Sequence, residues 1–181
     1  MLKTALGPLV GGIIIFMWQF LSWSAFNLHQ HSQQYTENQQ AILDCLGKNL
    51  KEEGGYYLPN LPAGSGMEEY EKQMKESEGK PWALIHYHKS MNTNMGMNMV
   101  RGLVVDIFIV WMLCWILGRF ASNSFLTTLI TSLFVGFNAF LFESYTAHIW
   151  FETFDLMASF IDALMAWGLT GVWLGWWLNR R

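Results

Sequence analysis

Two aspartates, Asp106 and Asp162, stand inside runs of otherwise apolar sequence. Ionisable groups in hydrocarbon are costly enough that each is a functional candidate by default. Counting about 1.5 Å of helical rise per residue from the centre of each run, both fall at a depth shared with Gln19 and Asn138. Asp155, Ser159, Asp162, Ala166 and Thr170 recur at helical spacing and so share one face. The pattern predicts a polar cluster between helices formed by Gln19, Asp106, Asn138, Ser159 and Asp162. Such a cluster could accept a proton or a cation. It could equally be a hydrogen-bonded network that fixes helix packing, with Arg101 the nearest partner for Asp106.

A second set of residues is chemically soft. His86, Tyr87 and His88 lead into Met91, and Met95, Met97 and Met99 follow, while His29 and His31 come after the first apolar run. Imidazole with thioether suits Cu(I), which makes copper the candidate cofactor. On a strand, residues i and i+2 face the same side, so His86 and His88 would converge. The competing reading is packing. Methionine fills irregular gaps, histidine suits interfaces, and the spacing matches no strict metal motif.

A third set is small. Gly7-x-x-x-Gly11 near the start and Gly171-x-x-x-Gly175 near the end allow helix backbones to approach closely. At similar depth, they predict antiparallel packing of the first and last helices on each other. A contact between two copies of the chain is the competing use.

Four runs must position these residues: 4–26, 98–117, 124–142 and 155–178. Each is about the 20 apolar residues that cross a bilayer core. The chain has 181 residues, 52% hydrophobic and 14% charged, with a mean hydropathy of +0.19. A soluble protein usually carries about 25% charged residues. Residues 26–97 hold nine of the fourteen acids and six of the eleven Lys and Arg, so a polar insert is set into an apolar chain. The first run is too long for the apolar region of a signal peptide and reads as an uncleaved span.

Lys3, Arg119, Arg180 and Arg181 fall on one side if both termini share a compartment, while the connection 143–154 has Glu143 and Glu152 and neither Lys nor Arg. Positive charges in short loops mark the cytoplasmic side. The insert therefore lies outside the cytoplasm. Trp23, Trp150, Trp173, Trp176 and Trp177 sit at span ends, where indoles favour the headgroup level.

Within the insert, 36–50 reads as a helix with Ile42, Leu43, Leu46 and Leu50 on one buried face. A short strand at 56–58, a charged helix at 67–78 and a strand at 82–88 follow. The expected fold is a membrane all-α protein: a four-helix transmembrane bundle with a small α+β extracytoplasmic cap between helices 1 and 2. Its parts are 1–26, the first span; 27–97, the cap; and 98–181, the last three spans.

A net charge of −3 and the lack of a basic stripe with interleaved aromatics exclude nucleic acid as a partner. Two cysteines make no disulfide framework. The chain has no Gly-x-Ser-x-Gly, phosphate loop, His-Glu-x-x-His or dinucleotide fingerprint, so no catalytic residue is expected.

Gly11-Gly12 followed by Phe16, Trp18, Ser22 and Trp23, then Gly55-Tyr56-Tyr57-Leu58-Pro59, then three closing runs, resembles a group of four-span bacterial inner-membrane proteins. Members of that group place Pro-Trp-His after the first span. Here Asn27-Leu28-His29 keeps only the His. The resemblance implies a bacterial plasma membrane and an external cap, and it brings no activity or catalytic residue.

Three roles fit these features. The leading one is a non-enzymatic accessory component of the cell envelope, in contact with the bilayer and with a protein partner through its cap. The second is handling of copper or another metal on the outer face. The third is a small proton- or cation-coupled transporter subunit.

Overall fold

A computed structural model describes residues 2–120 and 124–180. Arg181, one of the orientation charges, lies outside them. The elements are α1 (Leu2–Ser24), α2 (Gln39–Asn49), β1 (Gly54–Leu58), α3 (Met67–Ser77), β2 (Ala83–Tyr87), α4 (Met95–Leu117), α5 (Phe125–Phe140), α6 (Thr146–Trp150) and α7 (Leu156–Leu178). Four helical stretches are long and apolar enough to cross a membrane: Ala5–Ser24, Met95–Leu117, Phe125–Trp150 and Leu156–Leu178. The chain divides into two compact units, one of residues 1–34 and 94–181, the other Tyr35–Thr93.

In the helical unit α7 packs against both α1 and α5, and α1 packs against α4, while α4 and α5 barely touch. The core is apolar: Ile15, Val110, Leu113, Leu117, Ala166, Trp167 and Leu174 form one buried cluster. Gly7 lies beside Leu174 and Trp177, and Gly11 beside Thr170, so α1 and α7 run antiparallel. The glycines of the two helices do not face each other, however. Gly171 and Gly175 turn towards Leu129, Ser132 and Phe125 of α5. The reason is that α7 is the shared helix and has two interfaces to serve. It meets α1 through Thr170 and Leu174 and α5 through its glycines.

The tightest contacts at glycines lie elsewhere. A Cβ on Gly12 would stand 2.6 Å from Ile107 Cα, and one on Gly136 would stand 2.3 Å from Trp167 Cδ1. Across the same α5–α7 interface, the Ser132 hydroxyl donates to the Trp167 carbonyl at 2.7 Å.

The third span does not stop at residue 142. The helix continues through a π-helical turn, Leu141–Tyr145, into α6. No Gly or Pro interrupts 137–152, so nothing in the backbone ends it there. The Thr146 hydroxyl donates to the Leu141 carbonyl at 2.8 Å, giving a partner to a carbonyl in the widened turn.

The second unit has β1 antiparallel to β2, with Tyr56 opposite Ile85. Helix α3 starts where Glu69 accepts from the Gly66 N–H at 3.1 Å. The acids Glu68 and Glu69 complement its N-terminal dipole. The expected buried face of α2 is not buried: Ile42 is 48% exposed and Leu43 56%, while Leu46 and Leu50 are half-buried. About 60 residues with one two-stranded sheet offer too little surface to cover it. None of the described residues of this unit is fully buried.

The stretch 27–34, expected to open the cap, belongs to the helical unit, as do Asn94 and the methionines that begin α4. Asn94 accepts from the Met97 N–H at 3.1 Å and caps α4.

Candidate functional site

After α1 ends, Asn27 adopts a left-handed φ of 50°, a conformation its short polar side chain tolerates. The Leu28 N–H then returns to the Ser22 carbonyl at 3.0 Å. One 3-10 turn, Gln30–Ser32, follows, and the Ser32 hydroxyl donates to the His29 carbonyl at 2.8 Å. This tight reversal aims the His29 imidazole at the first two turns of α7.

Asp155 and Asp162 are seven positions, or two helical turns, apart, so their carboxylates stand one above the other. The imidazole bridges them. His29 Nδ1 is 3.0 Å from Asp155 Oδ2, and His29 Nε2 is 2.9 Å from Asp162 Oδ2. The second Asp162 oxygen accepts from the Trp18 indole N–H at 3.0 Å. The Trp23 ring lies flat on the imidazole, with centroids 4.0 Å apart and planes within 1°.

His29 is 5% exposed. A neutral imidazole has one N–H and can satisfy one carboxylate only. Two ionised carboxylates therefore require the imidazolium. Burial opposes that charge, but the hydrogen bonds to Asp162 and Asp155 and their negative charges outweigh it, raising the His29 pKa above the usual 6.5. The Trp23 face adds a cation–π contact for the charged ring.

The residues expected to share one polar cluster divide into separate places. Asp162 belongs with His29, Trp18 and Asp155. Asp106, 3% exposed, meets Gln19 Nε2 at a long 3.5 Å on the α1–α4 side. Among the described residues no donor reaches its other oxygen, and Arg101 makes no ion pair with it. Asn138 turns back to the Phe134 carbonyl of its own helix at 2.8 Å. A mid-helix Asn can always find that carbonyl, so shared depth did not bring it into the cluster.

Ser159 lines a cavity of about 210 Å³ with Glu143, Ser144 and Asp162. On another side of Asp162 a larger cavity, about 640 Å³, is walled mainly by aromatic and aliphatic side chains of α1, α4 and α7.

Of the soft residues, His86, His88 and Met91 line one groove of about 380 Å³ in the second unit, beside Leu43 and Leu46. Both histidines are exposed, and so is His31. Met95 and Met99 line the large cavity of the helical unit, and Met97 is exposed. Among the described residues, no group of three His, Cys, Asp or Glu side chains is placed to hold a metal ion. His29, expected among the metal ligands, has both ring nitrogens engaged by carboxylates.

Against family models, curated proteins and solved structures, the chain matches none.

From sequence alone His29 pairs with the metal candidates and stands outside the aspartate cluster. Chain separation hid the link, since His29 and Asp155 are 126 residues apart. The signals at hand are the Asp155–Asp162 spacing and a His shortly after a span.

Proposed function

We propose that the chain is a multi-pass protein of the bacterial inner membrane that exchanges protons at His29, acting as a small proton- or cation-coupled transporter subunit. The observation that carries this reading is the His29 imidazole held between Asp155 and Asp162. An imidazole with two carboxylate partners is suited to taking up and releasing a proton. The adjoining cavities give that proton a site to be coupled to.

Both termini are cytoplasmic in this reading, with residues 27–97 outside. Antiparallel α1–α4 and α1–α7 packing supports it by gathering the N-terminal end of α1 with the C-terminal ends of α4 and α7. Arg119 stacks on Trp115 at 4.5 Å and Arg180 on Trp176 at 4.4 Å at those ends, as cations and indoles do at a headgroup layer. The resemblance to four-span bacterial proteins supports the same placement.

The test is charge displacement on a solid-supported membrane after a step from about pH 8.5 to about pH 6, a range that spans an imidazole titration. The native protein should give a transient current that His29→Gln and Asp162→Asn abolish. Equal currents in all three proteins would remove the reading.

A second reading, soft-metal handling, is favoured by the groove that gathers His86, His88 and Met91. Stoichiometric Cu(I) or Ag(I) uptake lost in a His86→Ala/His88→Ala double variant would support it. No uptake at micromolar metal would end it.

A further inference from the structure

The 640 Å³ cavity is within the roughly 300–1,000 Å³ typical of small-molecule sites. Trp18, Phe20, Trp23, Met99 and Trp167 give it an aromatic, polarisable wall, and Asp162 sets one carboxylate in that wall. Among the described residues its lining includes no Lys, Arg or His. An aromatic box around a single carboxylate matches a ligand with an apolar body and a positive charge, because ring faces and carboxylate both attract cations.

We propose that this cavity binds a hydrophobic organic cation, whose charge takes the Asp162 carboxylate as counter-ion in exchange for the proton on His29. The proposal rests on the proton-exchange reading above and names the class of molecule exchanged.

Other occupants fit less well. A hard metal ion needs about six or more oxygen ligands, and this wall offers Asp162 and the Gln19 amide. An anion would meet no cationic side chain. A lipid chain would bring no charge to match the carboxylate in this wall.

Charge counting links the two binding events. With His29 charged, His29, Asp155 and Asp162 carry one net negative charge; with His29 neutral they carry two. A cation arriving beside Asp162 weakens the hold on the imidazolium proton, which leaves to the solvent. The other charged groups near Asp162 are acidic too. Asp106 approaches from α4 through Gln19, and Glu143 of the π-helical turn lines the smaller cavity that Asp162 shares. The Trp18 N–H keeps the Asp162 carboxylate oriented while its partners change.

Tetraphenylphosphonium is the probe, titrated calorimetrically into the full-length protein in detergent at about pH 8.5 and about pH 6, in two buffers of different ionisation enthalpy. Saturable binding is expected at the alkaline pH, roughly tenfold or more weaker at the acid one, with proton release on binding. Asp162→Asn should weaken alkaline binding by roughly tenfold to a hundredfold, the scale of one charge-assisted contact. Asp162→Glu should recover part of it, and His29→Gln should make the affinities at the two pH values equal.

Absence of saturable binding at both pH values would overturn the proposal. So would binding that is equal at both and unchanged in Asp162→Asn and Asp162→Glu, which is how apolar partition behaves. A His29-dependent pH-step current without probe binding would overturn the cation site and leave proton exchange standing. Loss of both would overturn both.

Discussion

Replacing Asp162 with Asn tests the cluster by donor and acceptor counting. One native carboxylate oxygen accepts from Trp18 at 3.0 Å and the other faces His29 Nε2 at 2.9 Å. An amide has one acceptor oxygen and one NH2 group. In Asp162→Asn the oxygen can serve Trp18 or His29, and the NH2 then faces the other. While His29 is an imidazolium, either orientation sets N–H against N–H. The loss is one charge-assisted hydrogen bond, worth roughly 1.5–3 kcal/mol. The Asp162 side chain is 20% exposed, which places the cost towards the lower end, about 2 kcal/mol, or roughly thirtyfold in an unfolding equilibrium.

A neutral His29 removes the conflict, because its Nε2 lone pair can accept from the amide while Nδ1–H donates to Asp155. The His29 pKa is raised in the folded protein. Its stabilising contribution is therefore complete below the usual 6.5 and fades as pH rises through the raised value. The deficit in Asp162→Asn should be about 2 kcal/mol near pH 5.5 and should shrink towards zero in alkaline buffer. Reversible SDS-driven unfolding in mixed micelles, followed by far-UV circular dichroism, measures it. A deficit of one size at every pH, or none in acid, would refute the reasoning.

Three further outcomes follow from the packing and the same titration. Native stability should fall as pH climbs above 6.5, and His29→Gln should flatten that slope in the same unfolding assay. Gly136→Ala should destabilise by roughly 2 kcal/mol in thermal melts, because a Cβ 2.3 Å from the buried Trp167 ring outweighs about 1 kcal/mol of helix propensity. Asn138→Ala should change stability by less than about 0.5 kcal/mol, since its side chain only caps a carbonyl of its own helix; a larger loss would place Asn138 in the polar cluster after all.

Periodicity and length made the spans legible, because crossing hydrocarbon demands long apolar runs and few charges survive within them. The same physics exposed Asp106 and Asp162. It could not say which helix each would face, since depth is readable along one helix and azimuth between helices is not. The packing role of Gly12 and Gly136 is not legible for a related reason: neither is in a Gly-x-x-x-Gly pair, yet both mark the tightest contacts at glycines. The expected end of the third span failed because Glu143 was read as a loop residue, whereas glutamate is a good helix former and the widened turn absorbs it. The α2 face read as buried from its spacing, but amphipathic spacing describes a face and does not supply what covers it.

The most direct measurement is nitrogen NMR of the five imidazoles in isotopically labelled protein, titrated across neutrality, with His29→Gln assigning the resonance. A His29 ring held by two ionised carboxylates predicts both ring nitrogens protonated beyond the pH at which an ordinary imidazole has lost its second proton. A neutral His29 with one unprotonated nitrogen at pH 6.5 would contradict the account.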